Sequence, residues 1–195
     1  MGKETIVLAL AAVVCYILLR RMGKGKRDES RSAKLMEKYA TLTAENLGET
    51  PDEELVEAVV AHVLSRAAED RRPDPAMELS VLPQPFTVVY SIWAVCKELA
   101  RGDYKALTHT ATREMVDHAV DGLPVIGAPV TAAALAALRD AHVAKEDTAT
   151  AESAYHVAVE QECPLALCAE YIRDHIPQLL GADEDDEIEE IADEG

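Results

Sequence analysis

Four carboxylates crowd one short stretch of this 195-residue chain: Asp52, Glu53, Glu54 and Glu57. On a helix, neighbours at i, i+3 and i, i+4 lie about 5–6 Å apart. A row of acids at that spacing can present negative charge to a basic protein much as successive phosphates do. The same acids also suit a helix start, where they answer the dipole and cap free N–H groups. The first reading makes the four a candidate partner-binding site. The second makes them a solvated helix end.

Other residue types offer less. Glu114 and His118 share a helix face at i, i+4 with Asp117 and Asp121 near. A metal site can use that spacing, but no second close pair completes it. His62, His109, His142, His156 and His175 are scattered and read as surface residues. Cys163 and Cys168 stand five apart across Pro164, a poor spacing for a zinc knuckle or a redox pair. With Cys96 they read as inert residues on apolar helix faces. Arg101-Gly102-Asp103 reads as a turn. There is no phosphate loop, nucleophile elbow, zinc helix or kinase set. No catalytic residue, cofactor or metal is therefore expected.

The charge is strongly uneven. Residues 1–38 carry +5, residues 39–182 carry −13 and residues 183–195 carry −9, within a net charge of −17. A basic collar thus precedes an acidic domain and a more acidic tail. Such a domain should avoid nucleic acid and attract basic protein surfaces. Aromatics are scarce and alanine and valine abundant, which favours helices packed through small residues.

Thr5–Leu19 carries no charge and ends at Arg20-Arg21. Fifteen residues make about 22 Å of helix against roughly 30 Å of hydrocarbon. Snorkelling by Lys3 and the two arginines lets Gly2–Met22 span. No small-residue cleavage site follows Leu19, Val14 rather than a small residue precedes Cys15, and Ile6 breaks the myristoylation pattern. The reading is an uncleaved anchor. Arg20, Arg21, Lys24, Lys26 and Arg27 put the C-terminal side in the cytoplasm.

The elements that must position the acids follow in order. Met22–Ser32 is a charged linker, and Ala33–Leu47, with Leu35, Met36, Tyr39 and Leu42, is a stalk or a first domain helix. Thr50-Pro51-Asp52-Glu53 supplies a cap, a first-turn proline and a capping-box glutamate for a helix ending near Asp70. Arg71–Pro85 reads as a loop with Leu79, Val81 and Leu82 tucked inward. Val88–Tyr104 is the organising stretch. Val88, Val89, Ile92, Trp93, Cys96, Leu99 and Ala100 recur at helical spacing, which predicts a buried helix with Trp93 in the core. Gly102 provides a left-handed cap. Ala111–Val120 is helical and Asp121-Gly122-Leu123-Pro124 ends it. Further helices are expected from Ile126–Pro129 through Ala141, over Ala151–Glu160, and from Pro164 through His175, with Pro177 and Gly181 as stops.

These segments carry a resemblance. Glu53–Leu64, Leu79-Ser80-Val81-Leu82-Pro83 and Val89-Tyr90-Ser91-Ile92-Trp93 follow one another in order. Gly102-Asp103-Tyr104, Leu123-x-x-Ile126-Gly127-Ala128 and Tyr155…Glu160…Glu170-Tyr171-Ile172-Arg173-Asp174-His175 continue it. Over Glu49 to Leu180 the chain resembles the bacterial DNA-mimic protein domain family, an all-helical domain mostly of unknown function. Family members usually carry an Asn-Gly-Gly-aromatic turn followed by glutamine and two aromatics; here Arg101-Gly102-Asp103-Tyr104 and Lys105-Ala106-Leu107-Thr108 stand there. The family also usually lacks the anchor and the acidic tail.

The expectation is an all-α chain with one N-terminal transmembrane helix (residues 1–22) and a basic linker and stalk (23–48). One compact multi-helix domain (49–180) and an acidic disordered tail (181–195) follow. Its expected role is a membrane-tethered, non-enzymatic adaptor that binds a partner with a basic surface through Asp52, Glu53, Glu54 and Glu57, without direct contact to nucleic acid. A DNA mimic that sequesters a basic DNA-binding protein is the alternative, and an enzyme with an unrecognised site the third reading.

Overall fold

The computed structural model describes residues 31–69, 81–102, 104–108 and 110–181. The expected anchor, the linker before residue 31, Leu79, Asp103, His109 and the acidic tail lie outside the described residues. Within them the chain is all-α, with no strand. Helix α1 covers residues 31–38. Then come α2 (Ala44–Glu49), α3 (Asp52–Glu69), α4 (Gln84–Ala100), α5 (Thr110–Val125), α6 (Pro129–Ala144), α7 (Ala149–Glu162), α8 (Pro164–Asp174) and the single turn α9 (Ile176–Leu179). A 3-10 turn, Tyr104–Leu107, bridges α4 and α5.

Helix α4 is central, with α5 along one flank, α3 along another, and α8 and α9 also in contact. Phe86, Val89, Ile92 and Leu99 project from it into a core shared with Leu55, Val59 and Val63 of α3, Leu123 of α5 and Ile172 of α8. Each such side chain contributes about 1.5–3 kcal/mol on burial. Gly102, at φ 74, ends α4 as its cap role requires.

The core reaches back before residue 49. Tyr39 and Leu47 are fully buried and Leu42 nearly so, which makes this segment a part of the domain rather than a stalk. It is also two helices instead of one. Thr43 accepts from the Asn46 N–H while the Asn46 side chain accepts from the Thr43 N–H, a capping box that restarts the chain as α2. Thr50 does not build the expected box for α3. Its hydroxyl donates to the Asn46 carbonyl at 2.6 Å, so the Tyr39 hydroxyl, 3.0 Å away, is the donor to Thr50.

Three other expectations need correction. Val81 is exposed, while Leu82 packs against the core. Helix α4 starts at Gln84, before the expected end of the loop, with Pro85 in its first turn and buried. Helix α5 runs through Asp121–Pro124 to Val125. There tertiary burial overrides two helix breakers. Leu123 and Ile126 reach the core, and Gly122 faces α4, where an added Cβ would sit 3.3 Å from a Val88 methyl. The helix stops one turn later. Gly127, at φ 86, lets Ala128 N–H reach the Leu123 carbonyl and Gly127 N–H the Pro124 carbonyl.

Candidate partner-binding groove

The expected acidic row lies on the first turns of α3, and cations of this same chain hold much of it. Asp52 accepts from Arg173 at 2.8 Å, Glu57 from Arg31 at 2.7 Å, and Glu54 stands 3.9 Å from Lys38. Among the described residues Glu53 alone of the four has no ion pair. The pairs to Glu54 and Glu57 are solvent-exposed, and such pairs are worth about 0–1 kcal/mol. They still offset the charge that a phosphate-like row would need.

Arg173 does more than pair with Asp52. From α8 its guanidinium also donates to the carbonyls of Leu47 at 2.6 Å and Thr50, and to Gly48 at 3.3 Å. These carbonyls sit at and just beyond the C-terminal end of α2, where intrahelical donors run out. One cation thereby closes the end of α2 and holds the start of α3 against α8. A second helix end is closed from afar in the same way. The Glu162 carboxylate accepts from Val130 N–H at 3.0 Å and Thr131 N–H at 2.6 Å, in the first turn of α6. Desolvation works against this carboxylate's charge, but the Thr131 and Val130 hydrogen bonds outweigh it and hold Glu162 below the usual carboxylate range.

Beside these closed ends lies an open groove. Trp93 packs against the core but is only half-buried, so it is not one of the fully covered core side chains expected of α4. Its face of α4 meets a gap between α1, α3 and the α7–α8 corner. Three depressions join there, because Trp93 and Glu57 line all of them. One, of about 240 Å³, is flanked by Arg31, Lys97 and Arg101 over Leu35 and Leu64. The largest, of about 510 Å³, is mostly apolar, walled by Cys96, Val159, Pro164 and Leu165. The third, of about 400 Å³, is rimmed by Asp52, Glu53, Glu57 and Glu170 over Val56 and Ala169. Leu165 is 43% exposed at its edge. Lys97 lies over the Trp93 ring at 4.2 Å and Tyr90 is 5.7 Å from it. The groove thus has an apolar floor, a basic arm and an acidic arm.

The sequence reading missed this arrangement because helical periodicity marks an apolar face without saying what covers it. Pro164-Leu165 directly after a short helix was the available signal. Of the four acids that rim one arm, Asp52, Glu53 and Glu57 were among the expected residues and Glu170 was not.

Two histidines read as scattered are brought together. The Tyr104 ring stacks on His142 at 5.3 Å, and its hydroxyl is 3.2 Å from His156 Nε2. Glu152 accepts from Thr148 at 2.6 Å and stands 3.6 Å from His142. Burial, then the nearby Glu152 charge, push the Tyr104 phenol up, so it stays a neutral hydrogen-bonding group. The cluster fastens the 3-10 turn to α6 and α7. His62 is half-buried too, with Nδ1 2.8 Å from the Ala40 carbonyl and its ring beside Phe86. Desolvation lowers its pKa. His175 stacks on Tyr171 at 3.9 Å. Glu114 and His118 lie 3.9 Å apart and exposed, and no group of three potential ligands gathers among the described residues.

The cysteines differ from one another. Cys168 is fully buried and its thiol is pushed up to about 12 by burial. Cys96 Sγ accepts from the Tyr155 hydroxyl at 3.7 Å, and burial raises its pKa as well. Cys163 is exposed, which corrects the expectation of a third core thiol; it occupies a left-handed turn at φ 49 between α7 and α8.

Compared with protein-family models, with curated proteins and with solved structures, the chain matches none. The likeness to the DNA-mimic family stands on the residue pattern alone.

Proposed function

We propose that this chain is a membrane-tethered, non-enzymatic helical domain that binds a protein partner in the Trp93 groove. The partner presents a large apolar side chain to the floor and a lysine or arginine to the acidic arm. The observation that carries this reading is the third depression, where four carboxylates rim an apolar floor beside a half-buried tryptophan. A half-buried aromatic next to charged rims is the usual anatomy of a binding hot spot. Asp52, Glu53 and Glu57 of the expected site belong to this rim, and Glu170 joins them. Glu54 pairs with Lys38 and does not line the groove. Internal pairing of Asp52, Glu54 and Glu57 weighs against a row of free phosphate-like charges, so mimicry of DNA is not the reading adopted.

The tether rests on the Thr5–Leu19 run and its arginine collar, with the domain on the cytoplasmic side. Among the described residues no helix is long and apolar enough to cross a membrane. Full-length protein should pellet with membranes and resist a high-salt wash. Release of the intact chain by salt alone would refute insertion.

The groove is tested by panning a displayed peptide library on the full chain in neutral micelles. Enriched peptides should place a basic residue beside a large apolar one. They should lose about thirtyfold in affinity with Glu53→Lys plus Glu170→Lys, since each lost or reversed charge contact is worth about 1 kcal/mol. Leu165→Asp should also weaken them, while Glu114→Lys, away from the groove, should not. Equal enrichment on wild type and the double lysine variant would end this reading.

A further inference from the structure

We infer that the acidic segment 182–195 docks in cis on the basic arm of the Trp93 groove and competes with the partner. The inference rests on the groove being the binding site. The basic arm places Arg31, Lys97 and Arg101 around an apolar floor, against the single carboxylate of Glu57. Arg31 and Arg101 each have a carboxylate, at 2.7 and 3.2 Å. Lys97 has none among the described residues and lies over Trp93 instead. A ligand complementary to this arm carries acids around a small apolar pair. Residues 182–195 carry nine acids with Ile188 and Ile191 between them. The acidic arm repels such a segment, so charge selects one arm for it and the other for a basic partner. Both need the floor at Trp93.

Geometry permits the contact. The segment leaves the domain at Gly181, just after α9, which touches α2, α4 and α8. Fourteen residues extend to roughly 45–50 Å. A domain of this size has a radius of gyration of about 15 Å. A short tether gives an effective concentration in the millimolar range, so a weak intrinsic interaction suffices to occupy the groove. Because opposite charges hold it, salt should release it.

The chain's single tryptophan is Trp93, so its fluorescence reports the groove directly. Full-length protein in neutral micelles is compared with a full-length variant carrying Ile188→Ser and Ile191→Ser, and with Lys97→Glu. Acrylamide quenching of Trp93 should rise about twofold in both variants, because a contact of millimolar affinity at a millimolar effective concentration covers the ring about half of the time. About 1 M salt should do the same to wild type. A synthetic peptide of residues 182–195 should restore protection to the isoleucine variant but not to Lys97→Glu. Unchanged melting temperatures would exclude misfolding as the cause.

Identical quenching in wild type and the isoleucine variant would overturn the proposal. So would protection that falls on dilution, which points to a second copy. Protection that arises only with anionic vesicles points to a lipid surface and overturns it equally. The two readings can fail separately. If library peptides bind through Glu53 and Glu170 while the tail variants leave quenching unchanged, the groove stands and the cis contact falls. If the tail protects Trp93 but no peptide depends on the acidic arm, the partner reading falls instead.

Discussion

The corner held by Arg173 and the groove around Trp93 border the same helices, α3 and α8, yet treat their polar and apolar groups oppositely. At the corner the Leu47, Gly48 and Thr50 carbonyls, at and beyond the end of α2, find the guanidinium, and Asp52 adds a charge-assisted contact. At the groove a half-buried indole, the edge of Leu165 and the carboxylates of Glu53 and Glu170 border open space, although Asp52 and Glu57 on the same rim are paired. A protein that closes one helix junction so completely has the means to close another. The open one is therefore the better place to look for binding. The corner supplies the rigidity, because it fixes where α3 presents Asp52 and Glu53 relative to Glu170.

Breaking the corner should have the largest effect. Arg173→Met keeps much of the aliphatic length and removes the donors, leaving the Leu47 and Thr50 carbonyls and Asp52 without their cation. Hydrogen bonds to charged groups contribute about 1.5–3 kcal/mol each, but partial exposure of Arg173 lets water replace some of them. A loss of about 3 kcal/mol is expected in denaturant titration. A loss below 1 kcal/mol would mean that the corner is decorative and the comparison fails. Lysine at 173 should recover little, since a point charge cannot reach several carbonyls and a carboxylate with one planar fork.

The groove should respond in the other sense. A core tryptophan costs about 3–5 kcal/mol on truncation to alanine. Half-buried Trp93, covered by Lys97 and Tyr90, should cost less, about 2–3 kcal/mol, in proportion to the area it hides. Library peptides, however, should lose most of their affinity for Trp93→Ala. Stability and binding thus separate at this residue. A Trp93→Ala cost of 4 kcal/mol with unchanged peptide binding would reverse the assignment.

The helices themselves were legible because they obey local rules. The apolar faces of α3 and α4, the proline starts of α6 and α8 and the left-handed Gly102 are each decided within a few residues. Helix α5 was cut short for the same reason. Gly122 and Pro124 read locally as an ending, while the burial of Leu123 and Ile126 that overrides them depends on α4. Arg173 could not be read at all as a junction residue, since its partners lie 121–126 positions away. Trp93 was visible as apolar and helical, but periodicity does not distinguish a core from a groove. Asp52, Glu53 and Glu57 of the four expected acids line the depression beside Trp93, and the cations that pair with Asp52, Glu54 and Glu57 were not foreseen.

The second distant cap offers the mildest and cleanest test of how the junctions are held. Glu162 answers the free N–H groups of α6, whose own cap position is Ala128 with no side-chain acceptor. Glu162→Gln keeps the shape and one acceptor oxygen but removes the charge, and should cost about 1 kcal/mol at neutral pH, within the range of cap losses. The sign of its pH dependence follows from linkage. The folded state holds this carboxylate below its ordinary pKa, so the unfolded chain binds the proton more readily. Its contribution is complete above about pH 4.5, the unfolded carboxylate range, and fades as pH falls through the folded value. His62 adds a separate loss of the same sign between pH 6.5 and its lowered folded value, because the neutral ring is what the fold accepts. Wild type and Glu162→Gln should therefore lose stability in parallel from pH 7 to 5 and converge only below that. Convergence already at pH 6 would assign the cap's effect to another group, and a gap that persists at pH 3 would show that shape rather than charge closes the end of α6.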